Sequence, residues 1–258
     1  MPDFMGKLVN DAKKRIRSGY YNIKTDILHR PVSLKHAVKS ATNNAIIGEI
    51  KPISPALGPL RPNLDPIDVA LKIAKGGAIA LSILTEPDNF GGSLSNVLQI
   101  RRHVGVPLLM KDIIIDKTQV ETGAKVGADC VLLIDTVFSR PGVDSLTGLI
   151  DIAHDNQLEV LLEVHRKDEL ARALNSDADI IGINNRNLET FKTDLGTTAD
   201  LISAVQDRAE KIIVSESGFA KAEDIRRLKS VGVDGFLIGS SIMLSEDLES
   251  KVREFVLA

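Results

Sequence analysis

Apolar positions along the chain follow two alternating rhythms. Short runs of strand length recur at Ile46–Ile50, Ala78–Leu84, Pro107–Met110, Cys130–Ile134, Glu159–Leu162, Ile180–Ile183, Lys211–Val214 and Gly235–Ile238. Between them lie stretches of helical period: Pro66–Lys75, Ser93–His103, Lys117–Val126, Asp144–Asp155, Lys167–Asn175, Thr197–Gln206, Ala222–Val231 and Ser245–Val256. Continuous β-branched runs mark strands buried on both faces, and their alternation with helices predicts a parallel sheet covered by helices. Eight such units in 258 residues favour an α/β chain closed as a (β/α)8 TIM barrel over an open doubly wound sheet.

Residues 1–44 break this rhythm and predict an N-terminal helical extension, with residues 45–258 forming the barrel of a single domain. Leu8, Ala12 and Ile16 share one helical face, with Lys13, Lys14, Arg15 and Arg17 around it. Ser33 follows Pro31 and is placed to cap a second short helix reaching Val38. The sequences Gly76-Gly77-Ala78, Gly127-Ala128-Asp129 and Gly232-Val233-Asp234 read as helix C-caps that release the chain into the next strand. No GxGxxG follows the first strand, so the dinucleotide fingerprint is absent.

Composition narrows the function classes. A formal net charge of −3 supplies no bulk field for nucleic acid or an anionic membrane. Aromatics are 3% of residues with no Trp, which argues against stacking platforms for single strands. The one cysteine, Cys130, sits inside an apolar run, where it reads as a small buried hydrophobe; no disulfide within the chain is possible. No apolar stretch approaches membrane-spanning length, and the charged amphipathic first residues do not read as a signal peptide. A cytoplasmic monomer or weak homo-oligomer is the expectation.

In a βα barrel the reactive groups stand at the C-terminal strand ends. The first strand ends in Glu49 and Lys51, two residues apart and so on one face, before Pro52 and Pro55 forbid further pairing. A surface ion pair at a strand end is the plainer reading of that couple; the floor of an active site is the other. The remaining ends carry Ser82 with Thr85-Glu86, Lys111-Asp112, Asp135, Glu163-Val164-His165, Asn184-Asn185-Arg186-Asn187, Ser215-Glu216-Ser217-Gly218 and Gly239-Ser240-Ser241. Any one could be an ordinary strand cap, but the barrel would gather all of them around one mouth. Lys111 follows an apolar strand, where a desolvated lysine serves as a general acid or forms a Schiff base. Glu163 also follows an apolar strand, where partial burial raises a carboxyl toward acid–base use. Asp112, Asp135 and His165 read as supporting or solvated residues.

Ser217-Gly218 and Gly239-Ser240 offer unobstructed backbone N–H groups after strands seven and eight, and 240–243 could form the short helix that holds an anion. They could also be plain turns. Ser54 and Arg186 are further candidate ligands, so the expected substrate is a phosphorylated small molecule. Phe90, Leu84, Leu133 and Ile113 would offer a wall to an apolar or aromatic group. The five histidines show no metal-ligand spacing, and neither a metal nor a cofactor is expected.

Together these strand ends resemble the indole-3-glycerol-phosphate synthase family of tryptophan biosynthesis. The resemblance is carried in order by Gly48-Glu49-Ile50-Lys51 with Ser54-Pro55, Leu84-Thr85-Glu86 with Phe90-Gly91-Gly92-Ser93, Met110-Lys111-Asp112, Leu162-Glu163-Val164-His165, Asn184-Asn185-Arg186-Asn187, Ser215-Glu216-Ser217-Gly218 and Ile238-Gly239-Ser240-Ser241. It implies a carboxy-lyase that closes 1-(2-carboxyphenylamino)-1-deoxyribulose 5-phosphate into indole-3-glycerol phosphate, losing CO2 and water. By this resemblance Lys111 is the general acid at the carbonyl oxygen. Lys51 pairs with the substrate carboxylate or acts as acid in the dehydration. Glu163 and Glu49 handle protons and hold the lysines, and Asn184 orients substrate and Glu163. Ser54, Glu216, Ser217, Gly218, Gly239 and Ser240 fall where the family binds phosphate or ribulose hydroxyls. Arg186 joins the polar network beside Asn184 and Glu49, and Phe90 and Leu133 pack on the anthranilate ring. Two departures stand out: Ala56 where the family often has Ser, and Ile113 where an aromatic often follows Lys-Asp. The competing readings are a sister phosphate-binding barrel isomerase, which does not explain two lysines with two glutamates, and a non-catalytic phosphate-ligand-binding barrel, which has no need of them.

Overall fold

Eight parallel strands close on themselves in a computed structural model describing residues 3–25, 27–205, 208 and 211–258. The strands are Ala45–Ile50, Ala80–Leu84, Leu108–Lys111, Cys130–Ile134, Glu159–Val164, Ile180–Asn184, Ile212–Glu216 and Gly235–Ile238. Closure is made by the last strand pairing with the first, Ala45 opposite Gly235 and Gly48 opposite Ile238. The covering helices fall where the periodicity predicts them, from Pro66–Lys75 to Leu248–Val256. The sixth runs Gly196–Ser203, and Gln206, its expected end, lies outside the described residues.

Several strand bounds differ from those expected, the fifth strand reaching Val164 and the sixth Asn184, and two further extensions decide where site residues point. The third strand runs one residue further than expected and includes Lys111; the seventh continues through Ser215 to Glu216. Both residues therefore belong to the ladder, and strand alternation fixes where they point.

That alternation divides the core in two. Outward positions such as Ile46, Leu81, Val131, Leu133 and Ile213 pack against the helices. Inward positions such as Ile47, Leu109, Leu132, Leu161, Val214 and Leu237 fill the barrel. The N-terminal segment contributes to the inner core at both ends. Its first helix, Phe4–Arg17, brings Met5, Leu8, Val9 and Ala12 to it. The second, Leu34–Lys39, capped by Ser33 as predicted, adds Leu34 and Val38. Helix two sits at the strand starts, because the Lys35 N–H donates to Glu159, the first residue of its strand, at 2.9 Å. His29 Nε2 lies 2.6 Å from Asp129 at the same end. Helix one lies at the opposite, C-terminal mouth. The extension is thus a strap that runs from mouth to floor.

Candidate active site

Lys111 is the hub of the mouth. Its Nζ lies 2.5 Å from Glu216 Oε2, 3.5 Å from Glu163 Oε2 and 3.8 Å from Glu49 Oε1. Glu49 pairs on its other oxygen with Lys51 at 2.5 Å, so the same-face couple read from the first strand is a near-buried ion pair. Burial opposes the charge on Lys111, but Glu216, Glu163 and Glu49 outweigh it and hold its proton on well above the usual lysine range. Of the two readings of a lysine after an apolar strand, general acid or Schiff-base former, three surrounding carboxylates favour the charged form that the first requires. Glu49 is held below the usual carboxylate range, because Lys51 and Lys111 together outweigh the burial that pushes it up. Burial lifts the Glu216 carboxyl to about 7, with Lys111 pulling it down and Glu163 pushing it up.

Glycine makes room for two of these carboxylates. A Cβ on Gly182 would stand 2.1 Å from Glu216 Oε1, and one on Gly239 would stand 2.3 Å from Glu49 Oε2. Both glycines occupy positions where a side chain would fill the space the carboxylate needs. Glu216 was expected among the substrate- and phosphate-binding residues. It is fully buried against Lys111 and is not among the residues that line the cavity. The seventh strand places it inward with Ile212 and Val214, a signal present in the alternation of the sequence.

Asn184 donates to Glu163 Oε1 at 3.0 Å and accepts from the Arg186 N–H at 3.0 Å, which joins three expected site residues. Arg186 is anchored in turn by donating to the Phe191 carbonyl at 3.0 Å. Asn185 was not singled out, yet it ties two strand ends together. Its amide donates to Ser215 Oγ at 2.9 Å and to the Glu216 and Ser217 carbonyls at 3.0 and 3.1 Å. Asp112 and Asp135 are buried; Asp135 pairs with Arg172 at 2.5 Å.

The mouth opens into a cavity of about 330 Å³ lined by Glu49, Lys51, Lys111, Glu163, Asn184 and Arg186 together with an apolar wall. That wall holds Leu84, Phe90 and Ile113 as expected, but not Leu133. Cys130, Leu132 and Ile134 face inward, so Leu133, one residue out of step, packs under the helices, and Leu132 and Ile134 take the place given to it. The wall also includes Phe4, Met5 and Leu8 of the first helix, whose apolar face read only as generic amphipathicity.

At the other end Ser217 and Gly218 adopt φ of 68° and 96°, both left-handed. That conformation is strained for serine and is held by the Asn185 bond to the Ser217 carbonyl. The expected short helix forms over Ser240–Met243 behind Gly239. Arg61 donates to the carbonyls of Met243, at 3.1 Å, and Ser245, which steadies that helix from its C-terminal side. Ser54, Ser217, Gly218, Gly239 and Ser240 all line this end of the cavity.

A closed barrel whose strand ends bring two lysines and three carboxylates to one mouth defines a (β/α)8-barrel enzyme built for acid–base chemistry. The family model described as indole-3-glycerol phosphate synthase matches residues 6–255. The indole-3-glycerol phosphate synthase of Methanocaldococcus jannaschii is 42% identical over 252 residues, covering 96% of this chain and 92% of that protein. That of Desulforamulus reducens is 41% identical over 239 residues, covering 92% and 89%. The chain belongs to the indole-3-glycerol phosphate synthase family, the decarboxylating, ring-closing lyases of tryptophan biosynthesis. Among solved structures, an N-acetylmannosamine-6-phosphate 2-epimerase from Clostridium perfringens superposes with a TM-score of 0.64 at 14% identity, covering 84% of this chain and 93% of that one. A thiamine phosphate pyrophosphorylase from Pyrococcus furiosus gives 0.60 at 18%, covering 86% and 96%. These two share the fold.

Proposed function

We propose that this site converts 1-(2-carboxyphenylamino)-1-deoxyribulose 5-phosphate to indole-3-glycerol phosphate with Lys111 as the acid of the ring closure. The observation that carries the reading is one ammonium held among Glu49, Glu163 and Glu216 beside a second ammonium, Lys51, paired with Glu49. As the carboxylate-bearing ring carbon bonds to the ribulose carbonyl carbon, negative charge grows on the carbonyl oxygen. A developing alkoxide is a stronger base than an amine, so Lys111 can donate to it despite its raised proton affinity. Loss of CO2 returns its bonding pair to the ring and restores aromaticity. The new hydroxyl then leaves as water with an acid's proton, while a base takes the proton from the adjacent carbon. Glu163, steered by Asn184, is assigned the base. Lys51 is assigned the substrate carboxylate before it leaves and is the second ammonium available to the dehydration; Glu49 holds both lysines.

Phosphate is assigned to Ser54, Ser217, Gly218, Gly239 and Ser240, supported by the paired left-handed backbone at Ser217-Gly218 and the adjoining short helix. The aromatic ring is assigned to the wall of Phe90, Ile113 and Leu132. Ile113 leaves that wall aliphatic, so weaker stacking rather than lost activity is expected. A single domain acting in the cytoplasm, as a monomer or weak homo-oligomer, completes the proposal. Incubation with the carboxyphenylamino-deoxyribulose phosphate should give indole fluorescence. A folded sample that gives none would sink the proposal.

A further inference from the structure

Arg15 is the buried charge of the first helix. It is 6% exposed, and a buried guanidinium needs partners. Its Nη1 donates to Glu86 Oε1 at 2.6 Å and to Asp88 Oδ2 at 2.7 Å, and its Nη2 faces Asp112 Oδ1 at 3.6 Å. The partners fall in two places beside the apolar wall: Glu86 and Asp88 in the Phe90 turn, and Asp112 at the corner before Ile113. Glu86 caps the Pro87–Phe90 turn, accepting from the N–H groups of Asn89 at 2.7 Å and Phe90 at 3.0 Å, and so sets where Phe90 stands. Asp112 directly follows Lys111; it accepts from the Ile113 N–H and from Thr85 Oγ1, both at 2.7 Å, and from Tyr21 Oη at 3.1 Å. Leu8 lies seven residues before Arg15, two helical turns away on the same face, and lines the cavity with Met5.

We propose that Arg15 is a positioning residue that latches the mouth helix to the Phe90 turn and to the Asp112-Ile113 corner, and so sets the apolar wall against which the substrate's aromatic ring lies. This rests on the reading of the cavity as a synthase site. Arg15 lies outside the cavity lining and acts through Glu86 and Asp112. With the guanidinium gone, two buried carboxylates lose their common counterion, and the helix and turn lose their shared anchor. Arg15 pairs with none of Lys111, Glu49, Glu163 and Glu216, so the change is expected on binding and not on the chemical step.

The test compares the full-length enzyme with Arg15→Met and Arg15→Lys, using steady-state kinetics and hydrogen–deuterium exchange. Coupling between distinct sites typically changes affinity about 5- to 150-fold. For Arg15→Met the expectation is a KM raised within that range, about tenfold, with kcat nearly unchanged and faster exchange both in 4–17 and in 87–90. Arg15→Lys, a point charge that cannot fork between carboxylates, should recover part of the KM. An unchanged KM, a fall in kcat alone, or exchange that rises in 4–17 without 87–90 overturns the latch. Asp88→Ala removes the exposed partner without stranding a buried charge. If Arg15→Met does not fold, this variant must still raise exchange in 4–17, and unaltered exchange overturns the proposal. A wild-type enzyme that gives no turnover would defeat the synthase reading, while the exchange arms would still judge the latch.

Discussion

Glu216 Oε2 lies 2.5 Å from Lys111 Nζ, while its Oε1 is buried in the hollow beside Gly182 without a hydrogen-bond partner among the described residues. One oxygen therefore holds the ammonium, and the other carries an unmet demand for a proton. Burial, against the pull of Lys111 and with the push of Glu163, lifts its pKa to about 7 and gives the site a pH signature.

A carboxyl whose folded-state pKa is raised binds its proton more tightly when folded. Its stabilising contribution is full below the unfolded value of 4.5 and is lost as pH rises through about 7. Glu216→Gln removes that titration. Denaturant melts of both proteins between pH 4 and pH 8 should show the stability difference moving in favour of the variant as pH rises across that window. A difference independent of pH would show that Glu216 does not titrate there.

Lys111→Ala should lower turnover by about 10²–10⁴-fold, the usual scale of general acid catalysis, with circular dichroism unchanged. It should also destabilise the protein, because Glu49, Glu163 and Glu216 then face one another without their ammonium. Adding Glu216→Gln should restore part of the melting temperature and none of the turnover. Near-normal turnover in the single variant would remove Lys111 from its role.

Leu132 and Leu133 are neighbours in sequence on opposite sides of the barrel wall. Leu133→Ala should cost about 2–5 kcal/mol of stability with kcat/KM nearly intact. Leu132→Ala should raise KM for the aromatic substrate. Equal kinetic effects from the two would contradict the assigned faces.

Gly218 has a φ of 96°, and a Cβ there would meet Thr193 Cγ2 at 2.7 Å. Gly218→Ala should therefore disturb the anion end of the cavity. Inorganic phosphate should compete with substrate in the wild type and need about tenfold higher concentration in the variant, equivalent to about 1.4 kcal/mol. Unaltered inhibition would place the phosphate elsewhere.

Much of the barrel is legible in the alternation of apolar runs with helical stretches, since that pattern is a local consequence of burial on both strand faces. The groups at Glu49, Lys51, Lys111, Glu163 and Asn184 follow from it, because strand ends at one mouth must meet. What was misjudged has a physical pattern too. Leu133 for Leu132 is an error of one in strand phase, which a continuous apolar run does not disclose. Glu216 sits between serines before a glycine and so looks like part of an anion loop, yet its ladder position aims it inward. Arg15 stands among Lys13, Lys14 and Arg17 on an amphipathic helix, where basic residues usually face water. Its pairing with Glu86 spans 71 residues, and no local pattern records such a contact.

The strap bears on the order of assembly. Met5, Leu8, Leu34 and Val38 share one inner core with Leu237 of the eighth strand. On the ribosome, where synthesis runs from the N-terminus at about 5–20 residues per second, these side chains emerge first but gain their full set of partners only after Gly235–Ile238 has paired with Ala45–Ile50. Until the eighth strand is made, the strap's apolar side chains lack part of their packing. A chain halted short of Gly235 would leave part of the apolar surface of Met5, Leu8, Leu34 and Val38 without its Leu237 partner.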